Sequence, residues 1–471
     1  MVSFQPFRGY VYNQEEIRTH GGLLTAPPYD VLTPSQRESY YQGHIHNFLH
    51  VDLGRVLPND PSPMAWHDRS AKVLQDWLRE KVLVRAPEPR FYIMETSWTH
   101  PITGERLIRH GIIGLLRLEV PGPSARVRLH EQTFSFHKME RLDLMLKTQA
   151  QLSPIFGFFP DQGDRLLKRL LGLASERDPE IIIVDGTGEG HRVYFLDNPG
   201  ECQAISAALT ETTVYIADGH HRYMTALNYR DEILERRRKA KLPPPPPSSA
   251  LDHVMTYLCP MGDPGLCVLP THRILKRLGM DNEELLGRLA PYADVRRLPY
   301  KDCGKADAVA RLTAKLAEDS KKGLTVFGLF LADADFCCFV KVREKVKETI
   351  ASEEPTKASL SSLDVSILTN VILVRALGLT EELMDDPDCI SYVSQVGEAL
   401  NLVDGGDRAA FILNPTSLAD ILKVTEAGFV MPRKATYFYP KVMNGLVTNI
   451  VDPMETVPGS QALESPAKTA C

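Results

Sequence analysis

The chain has 471 residues, which at about 100–200 residues per domain indicates about two to four domains. Hydrophobic residues make up 43% and charged residues 24%, a balance that is typical of a folded globular protein and excludes wholesale disorder. The formal net charge of −6 disfavours non-specific binding to nucleic acid. No apolar run reaches the roughly 18–20 residues of a membrane span, and the N-terminus lacks the basic-then-apolar order of a secretory signal. We therefore predict a soluble, cytoplasmic protein.

Strands and helices alternate along the chain. Short β-branched or aromatic runs bounded by turn residues indicate strands, and apolar residues repeated on one face indicate helices. Before a proline-rich segment, the predicted strands are 90–95, 111–118, 179–185 and 213–217, and the predicted helices are 65–80, 141–152 and 220–239. After that segment, the predicted helices are 282–289, 305–321 and 363–377, and the predicted strands are 324–331 and 409–413. The mixture predicts an α/β (α+β) fold in at least two domains.

Two segments are predicted boundaries. The five prolines at 243–247 cannot continue a helix and favour a polyproline II spacer. The basic run at 236–239 before them is either the solvated end of a helix or a contact for an anion or a partner. We predict an N-terminal α/β domain over 1–242, a proline-rich linker or insertion over 243–249, a C-terminal α+β domain over 250–452 and a disordered tail over 453–471.

The eight cysteines are scattered, without a C-x-x-C pair or a paired metal spacing, which excludes a disulfide scaffold. Cys337 and Cys338 lie in the apolar run LFLADADFCCFV and are predicted to be buried, inert thiols. We therefore expect no cysteine chemistry.

An apolar strand runs directly into a glycine and a helix in the segment VYIADGHHRY at 214–223. This geometry points backbone N–H groups and the positive end of the helix at one spot, which makes an anion site. Arg222 can bind a phosphate through two hydrogen bonds, and His220 and His221 can donate hydrogen bonds or move protons. Asp218 can hold a metal or orient a histidine. The alternative is a plain helix N-cap, in which Asp218 accepts backbone N–H bonds and the histidines are merely exposed.

A second polar cluster is His130-Glu131-Gln132-Thr133. It places a candidate base, a carboxylate and a hydroxyl within four residues, as an acid–base site needs. Position 134 is Phe, so the His-Glu-x-x-His zinc pattern is excluded. Arg141 follows, either as part of the same site or as part of a solvated helix start.

Two proline-bounded segments are candidates for a pocket. Pro27-Pro28 stiffens an extended segment that presents Tyr29 and Asp30, with a structural turn as the alternative. In MPRKATYFYPK at 431–441, Lys434 and Tyr437 either line a ligand or belong to an aromatic-rich edge strand.

Six blocks of the sequence resemble the domain-of-unknown-function 1015 family. They are APPYDVLTP at 26–34, HEQT at 130–133, SPIFGFF at 153–159, YIADGHHRYMTAL at 215–227, LDVSIL at 363–368 and MPRKATYFYPKVMNGLV at 431–447. The blocks stand in the family's order and cover nearly the whole chain outside the proline run and the tail.

The family's glycine–histidine segment resembles the nucleotide-handling loop of the ParB/sulfiredoxin-like fold, where a Gly-x-x-Arg-x-x-Ala pattern opens a helix and wraps phosphates. This chain departs from the pattern, since Thr225 stands where the alanine is expected and Ala226 follows it. The form Asp-Gly-His-His-Arg is closer to the free-serine kinases of this fold, which phosphorylate L-serine using a nucleotide. The resemblance implies a ParB/sulfiredoxin-like N-terminal core with insertions.

The resemblance also implies roles for individual residues. The residues expected to bind phosphate or nucleotide are Gly219, His220, Arg222, Thr133 and Arg141. The residues expected to be catalytic are Glu131, Asp218 and His221, with Asp218 also holding Mg²⁺. ADP or ATP is the expected nucleotide.

We therefore expect a phosphotransferase that acts on free L-serine or O-phosphoserine, in either direction because a catalyst does not choose direction. The alternative is a non-enzymatic nucleotide-binding regulatory protein, since ParB-like proteins use a related loop to gate partner binding. The sequence does not predict an oligomeric state. We also expect the last predicted strand to pack near Gly219, with Lys434 within roughly 20 Å of Arg222 and Tyr437 or Lys434 in the pocket.

Overall fold

The structure is a computed structural model, which describes residues 1–131, 135–353, 358–361 and 363–459. Two compact units divide the chain. Unit 1 comprises the described residues within 1–129, 133–266 and 440–471, and unit 2 comprises those within 130–132 and 267–439. Thr133 of the HEQT cluster and residues 460–471 of the predicted disordered tail lie outside the described residues.

The elements are numbered in chain order. The strands are β1 (Phe4–Gln5), β2 (Tyr10–Tyr12), β3 (Leu83–Arg85), β4 (Phe91–Thr99), β5 (Arg106–Arg117), β6 (Val127–Arg128), β7 (Ala150–Gln151), β8 (Ile155–Phe159), β9 (Ile181–Val184), β10 (Gly190–Leu196), β11 (Val214–Asp218), β12 (His253–Pro260), β13 (Cys267–Leu269), β14 (His272–Leu275), β15 (Ala293–Pro299), β16 (Val326–Leu331), β17 (Phe336–Val342), β18 (Ile390–Val393), β19 (Ala409–Ile412), β20 (Tyr437–Tyr439) and β21 (Asn449–Ile450).

The α-helices are α1 (Gln14–His20), α2 (Pro34–Gly43), α3 (Leu49–Asp52), α4 (Ala65–Arg79), α5 (Ser135–Thr148), α6 (Arg165–Ser175), α7 (Pro199–Leu209), α8 (His220–Lys239), α9 (Asn282–Leu289), α10 (Lys305–Ser320), α11 (Glu344–Glu353), α12 (Ala358–Ser361), α13 (Asp364–Ile367), α14 (Glu381–Asp385), α15 (Val396–Asp404) and α16 (Leu418–Glu426). Helices α8 and α9 coincide with their predicted bounds. The helix predicted over 363–377 is instead α13 followed by a π-helical stretch, Leu368–Ala376.

A mixed sheet forms the centre of unit 1. Its nine strands run β6-β11-β8-β12-β5-β4-β10-β9, with β1 added beside β5. Strand β11 is parallel to β6 and antiparallel to β8, while β12 is parallel to β8. Fully buried side chains such as Ile112 on β5, Leu170 on α6 and Ile216 on β11 belong to one core cluster. Burying each such side chain contributes about 1.5–3 kcal/mol, so α6 and α8 are held on this sheet.

Unit 2 is built on an antiparallel sheet of six strands in the order β15-β17-β16-β19-β14-β18. Leu312 and Leu316 on α10 and Val403 on α15 pack into its core. The two units together confirm the predicted mixed α/β class. Cys337 and Cys338 on β17 are fully buried, and this burial raises the pKa of Cys337 to about 11 and that of Cys338 to about 12. Both thiols are therefore protonated and inert at neutral pH, as predicted.

The division between the units differs from the predicted boundaries at 242 and 452. Strand β12 follows the proline run yet pairs with β5 and β8 inside the unit 1 sheet. The chain also returns to unit 1 at Pro440, and β21 pairs with β7. Proline content shows where a helix must stop, but it does not show which strands will pair across it. None of the helices in the described part of the chain combines the length and apolarity that crossing a membrane requires.

Candidate functional site

The predicted strand–glycine–helix junction forms at the end of β11. Asp218 ends the strand, Gly219 has a left-handed φ of 90°, and α8 begins at His220. A Cβ at Gly219 would lie 3.2 Å from three atoms of the Arg222 guanidinium group, so glycine both supplies the left-handed conformation and allows this close approach. Among the described residues, no side chain caps the first turn of α8, so Asp218 is not the plain N-cap of the alternative interpretation.

Two cations bind the carboxylate of Asp218. Oδ1 accepts a hydrogen bond from Nζ of Lys441 at 2.6 Å, and Oδ2 accepts one from Nη2 of Arg222 at 2.7 Å. Burial by itself raises the pKa of Asp218, but the charges of Lys441 and Arg222 outweigh it and hold the pKa well below its usual range. Asp218 is therefore ionised at neutral pH and anchors both cations.

Arg222 also connects the junction to predicted pocket residues. Its Nη1 donates to the carbonyl oxygen of Pro154 at 2.7 Å. Burial lowers the pKa of Arg222, but the charge of Asp218, followed by those of Asp30 and Tyr29, outweighs burial and raises it. Tyr29 and Asp30, on the 3₁₀ turn Tyr29–Val31, are thus close enough for their charges to act on Arg222.

Arg141, on α5, lies in the same cluster. Its guanidinium carbon is 3.3 Å from the centroid of the Tyr29 ring, a cation–π contact. Its Nη1 donates to the backbone oxygen of Asp52 at 2.8 Å and to Oδ1 of Asp52 at 3.1 Å, while Asn444 donates to Oδ2 at 2.9 Å. Only 6% of Arg141 is exposed, yet its Nε and Nη2 are buried without a hydrogen-bond partner among the described residues. An unmade hydrogen bond of a buried charged donor is costly, so this guanidinium is poised to receive an anion.

A cleft of about 450 Å³, counted with the open space at its mouth, adjoins these groups. Asp52, Arg141 and Arg222 line its polar side. Its apolar side is lined by Leu144, Met145, Leu152, Ile155, Ala226 and Val254. Small-molecule sites commonly combine an apolar wall with a few convergent polar groups, which is the arrangement found here.

The comparisons with known proteins identify the family. The sequence matches, over residues 4–366, a family described as "Protein of unknown function (DUF1015)". The chain belongs to this family. The predicted membership in this family is thereby confirmed, over a match that ends before the sixth block at 431–447. No curated protein matches the chain.

Solved structures similar to this family member include a free serine kinase in complex with AMP, at 12% identity and a TM-score of 0.32, covering 66% of this chain and 83% of the kinase chain. SbnI with a C-terminal truncation, from Staphylococcus aureus, is similar at 11% identity and a TM-score of 0.32, covering 70% and 85%. A conserved hypothetical protein from Pyrococcus furiosus has 14% identity and a TM-score of 0.29, covering 66% and 87%. TM-scores this low establish neither a shared fold nor a shared function.

The remaining predicted residues divide between the units. In unit 1, His220 is buried and His221 is half-buried in the first turn of α8. In unit 2, Oε1 of Glu131 accepts from the backbone N–H of Ala435 at 3.3 Å, and the ring of His130 is 3.0 Å from the Thr436 hydroxyl. Glu131 also forms a parallel bridge with Met431.

Lys434 and Tyr437 are also residues of unit 2. Lys434 is exposed, and its carbonyl oxygen accepts from the Thr271 hydroxyl at 2.6 Å. Tyr437 begins β20, which pairs with β13. The placement of Glu131, Lys434 and Tyr437 in the pocket stays a prediction.

Sequence reasoning missed three residues of the unit 1 cluster, Asp52, Lys441 and Asn444. Lys441 and Asn444 stand within the block MPRKATYFYPKVMNGLV, although only Lys434 and Tyr437 were selected from it. Lys441 stands out in the sequence only as a single cation after a proline, and its neighbouring residues do not indicate that its partner, Asp218, lies 223 positions away. Asp52 lies in no motif.

The donor set at Asp218 does not fit the metal that was expected there. Both carboxylate oxygens already accept from cations at 2.6–2.7 Å, so a divalent ion would have to displace Lys441 or Arg222. Like charges at that distance repel strongly. The arrangement at Asp218 suits an anion held beside Lys441 and Arg222 better than a cation.

Proposed function

We propose that this chain is a phosphotransferase that moves a phosphoryl group between a nucleotide, ADP or ATP, and the hydroxyl of free L-serine, or in reverse from O-phosphoserine. The observation that carries the proposal is the buried guanidinium of Arg141, whose Nε and Nη2 lack partners at the wall of the cleft. A phosphate oxygen supplies the acceptors that these donors lack.

The charge around the cleft favours an anion. Arg141, Arg222 and Lys441 are three cations, the carboxylates of Asp52 and Asp218 are paired with them, and the charge of Asp30 also acts on Arg222. The N-terminus of the 20-residue α8 adds about half a positive charge at the same junction. A phosphate that enters here meets the positive end of α8 and the donors of Arg141 that lack partners among the described residues.

The reaction needs positioning and charge neutralisation more than covalent help from the protein. The serine Oγ–phosphorus bond forms as the bond from phosphorus to the leaving nucleotide oxygen breaks, and the hydroxyl proton passes to a carboxylate. Asp218 is a poor acceptor for that proton because its pKa is held far below neutrality. We propose Asp218 as a positioning residue for Lys441 and Arg222, and we retain Glu131 as the proposed base.

The choice of serine as acceptor rests on the resemblance of Asp218-Gly219-His220-His221-Arg222 to the loop of free-serine kinases, with His220 and His221 as donors to the phosphate. The geometry of the cleft supports the phosphate half of the proposal. Mg²⁺ enters only as the ion that a nucleotide's phosphates carry, and no step is routed through Asp218.

The test measures the amounts of serine, phosphoserine and nucleotide by mass spectrometry. Purified protein is incubated with Mg²⁺, serine and ADP or ATP, and separately with O-phosphoserine with and without AMP or ADP. We expect phosphoserine to form or disappear, Arg141→Met to slow this by at least about 100-fold, and Glu131→Gln to be similarly slow. Arg169→Met, which changes an exposed arginine of α6, is the matched control and should keep the wild-type rate.

Phosphoserine unchanged in every mixture would contradict the phosphotransferase. If calorimetry still detects nucleotide binding in that case, the non-enzymatic regulatory alternative replaces it. Equal rates in wild type and Arg141→Met would contradict the proposed phosphate site even with turnover present.

A further inference from the structure

A second polar cluster in unit 1 is formed by Glu16, His20, His44 and His46. Glu16 and His20 lie one turn apart on α1, and His44 and His46 lie in the segment between α2 and α3. One carboxylate oxygen of Glu16 and one ring nitrogen each of His44 and His46 all lie within 4.8 Å of one another. The ring of His20 lies against that of His44, with centroids 4.1 Å apart and the ring planes tilted by 37°. We infer that this cluster is a binding site for a divalent transition-metal ion of the Zn²⁺ class.

The donor types select the metal. Two imidazoles with one carboxylate suit Zn²⁺, which takes three or four such ligands in tetrahedral geometry, whereas Mg²⁺ and Ca²⁺ prefer oxygen ligands alone. Zinc–nitrogen bonds of about 2.0–2.1 Å place neighbouring ligand atoms roughly 3.3 Å apart. Donors within 4.8 Å of one another therefore need only small side-chain rotations to close on one ion. His20 or a water molecule completes the shell.

One carboxylate oxygen of Glu16 lacks a hydrogen bond among the described residues. Its Oε1 lies 3.1 Å from Nδ1 of His46, but its Oε2 is buried without a hydrogen-bond partner among the described residues. The side chain is 17% exposed, so solvent reaches the cluster but not that atom. A buried carboxylate oxygen without a donor is unfavourable, and a cation bound there removes the cost.

One ring nitrogen of His44 already accepts a hydrogen bond from the backbone. Its Nδ1 accepts a hydrogen bond from the backbone N–H of His46 at 3.1 Å, so this nitrogen carries no proton. A zinc ion must therefore displace that N–H from Nδ1, or bind Nε2 with the ring proton moved to Nδ1. The ring of His20 lies beside that of His44, with centroids 4.1 Å apart, so a fourth ligand, an imidazole, is within reach of the cluster.

The backbone that carries the two histidines is held without any metal. The carbonyl oxygen of His44 accepts from the N–H of Asn47 at 3.0 Å and lies 3.2 Å from Nε2 of His50. The carbonyl oxygen of His46 accepts from the Tyr12 hydroxyl at 2.7 Å. Ligands on such a fixed segment lose little freedom when they close on an ion, which favours affinity.

A second group of potential metal ligands differs from this cluster because its carboxylate oxygens already have partners. It consists of Asp185, Glu189 and His191. Oδ1 of Asp185 accepts from the backbone N–H and hydroxyl of Thr187 and from the N–H of Glu189, at 2.6–3.1 Å. Its Oδ2 pairs with Nε2 of His191 at 2.7 Å. Both oxygens of the Asp185 carboxylate have hydrogen-bond partners, and these bonds stabilise the tight turn at residues 185–189.

The test uses the full chain and zinc or cobalt salts alone. Metal-stripped protein is dialysed to equilibrium against ZnCl₂ and the bound zinc is measured by inductively coupled plasma mass spectrometry. Cobalt(II) then gives an absorption spectrum that reports its coordination geometry. We expect wild type to retain zinc at one site per chain and to give the intense visible bands of tetrahedral cobalt.

Glu16→Gln keeps the shape of the side chain, and we expect it to lower zinc affinity by at least about tenfold and to abolish the cobalt bands. His46→Gln should do the same, and far-UV circular dichroism of both variants verifies that they are folded. His100→Gln, which changes a histidine of a different turn, should bind as wild type does. Wild-type protein that retains no zinc, or variants that bind it as tightly as His100→Gln, would overturn the inference.

Discussion

Lys441 donates a 2.6 Å hydrogen bond to Asp218 across 223 positions of sequence. The bond joins the segment that re-enters unit 1 at Pro440 to the junction of β11 and α8. Bridges between Ala26 and Asn444 and between Tyr10 and Thr448 hold the same segment. The unit 1 cleft therefore depends on residues from the beginning, middle and end of the chain.

Replacing Lys441 by methionine removes this bond while keeping most of the apolar stem. Asp218 then stays half-buried with one cation in place of two, so its pKa should rise toward the ordinary range. We expect a loss of about 1–3 kcal/mol in the free energy of unfolding of unit 1, measured by urea denaturation. Lys441→Arg preserves the charge and should lose less, and an equal loss in both variants would show that charge is not the cause.

The depressed pKa of Asp218 predicts how stability depends on acid. A carboxyl group whose pKa is lower in the folded than in the unfolded state stabilises the fold above its unfolded value of about 3.9. That contribution is lost as the pH falls from there through the folded pKa. Asp218→Asn should therefore flatten the fall in unfolding free energy below about pH 4. Asp178→Asn, a change of an exposed carboxyl group, should leave the slope as in wild type.

Gly219→Ala tests the backbone of the junction. The left-handed φ of 90° strains an alanine, and its Cβ would press on the Arg222 guanidinium at 3.2 Å. We expect a loss of about 1–2 kcal/mol in unfolding free energy, together with weaker anion binding. Gly287→Ala in α9 has no atom within 4 Å of its added Cβ and should be neutral or stabilising by about 0.5–1 kcal/mol.

His253 in unit 1 and His272 in unit 2 are buried, and each predicts a loss of stability at a higher pH than the loss predicted for Asp218. Burial lowers the pKa of His253 to about 4, and burial followed by the charge of Arg273 lowers that of His272 to about 4. Both rings are neutral in the folded chain while unfolded histidine titrates near pH 6.5, so stability falls as the pH drops from about 6.5 toward 4. The loss amounts to roughly 3 kcal/mol for each histidine at the lower end.

Unfolding free energies of His253→Gln and His272→Gln, measured between pH 4 and 7, check this prediction. Each variant should show a shallower slope than wild type for the unit that contains it. A wild-type slope in both variants would contradict the prediction.

Local pattern was enough to predict the junction and the class of fold. The run VYIADGHHRY carries its own strand, its glycine and its helix start, so each step is encoded by neighbouring residues. Helix α8 consequently has its predicted bounds. The junction needed no knowledge of distant pairing.

Long-range pairing was the part that sequence could not supply. Strand β12 joins the first sheet across a run of prolines because its partners are β5 and β8, which no local pattern names. Lys441 was not predicted either, because neither composition nor spacing singles it out. Asp52 was not predicted because its role depends on hydrogen bonds with Arg141 and Asn444, which are distant in sequence. When the role of a residue depends on a distant partner, the sequence around that residue does not indicate the role.

Binding of ADP measured by isothermal titration calorimetry, in wild type, Arg141→Met and the exposed control Arg169→Met, tests the central claim that the Arg141–Arg222 cleft is a phosphate site. We predict that wild type and Arg169→Met bind ADP with equal affinity and that Arg141→Met binds at least about tenfold more weakly, a difference of about 1.4 kcal/mol. ADP affinity that is the same in all three proteins, or absent from wild type, would contradict the claim.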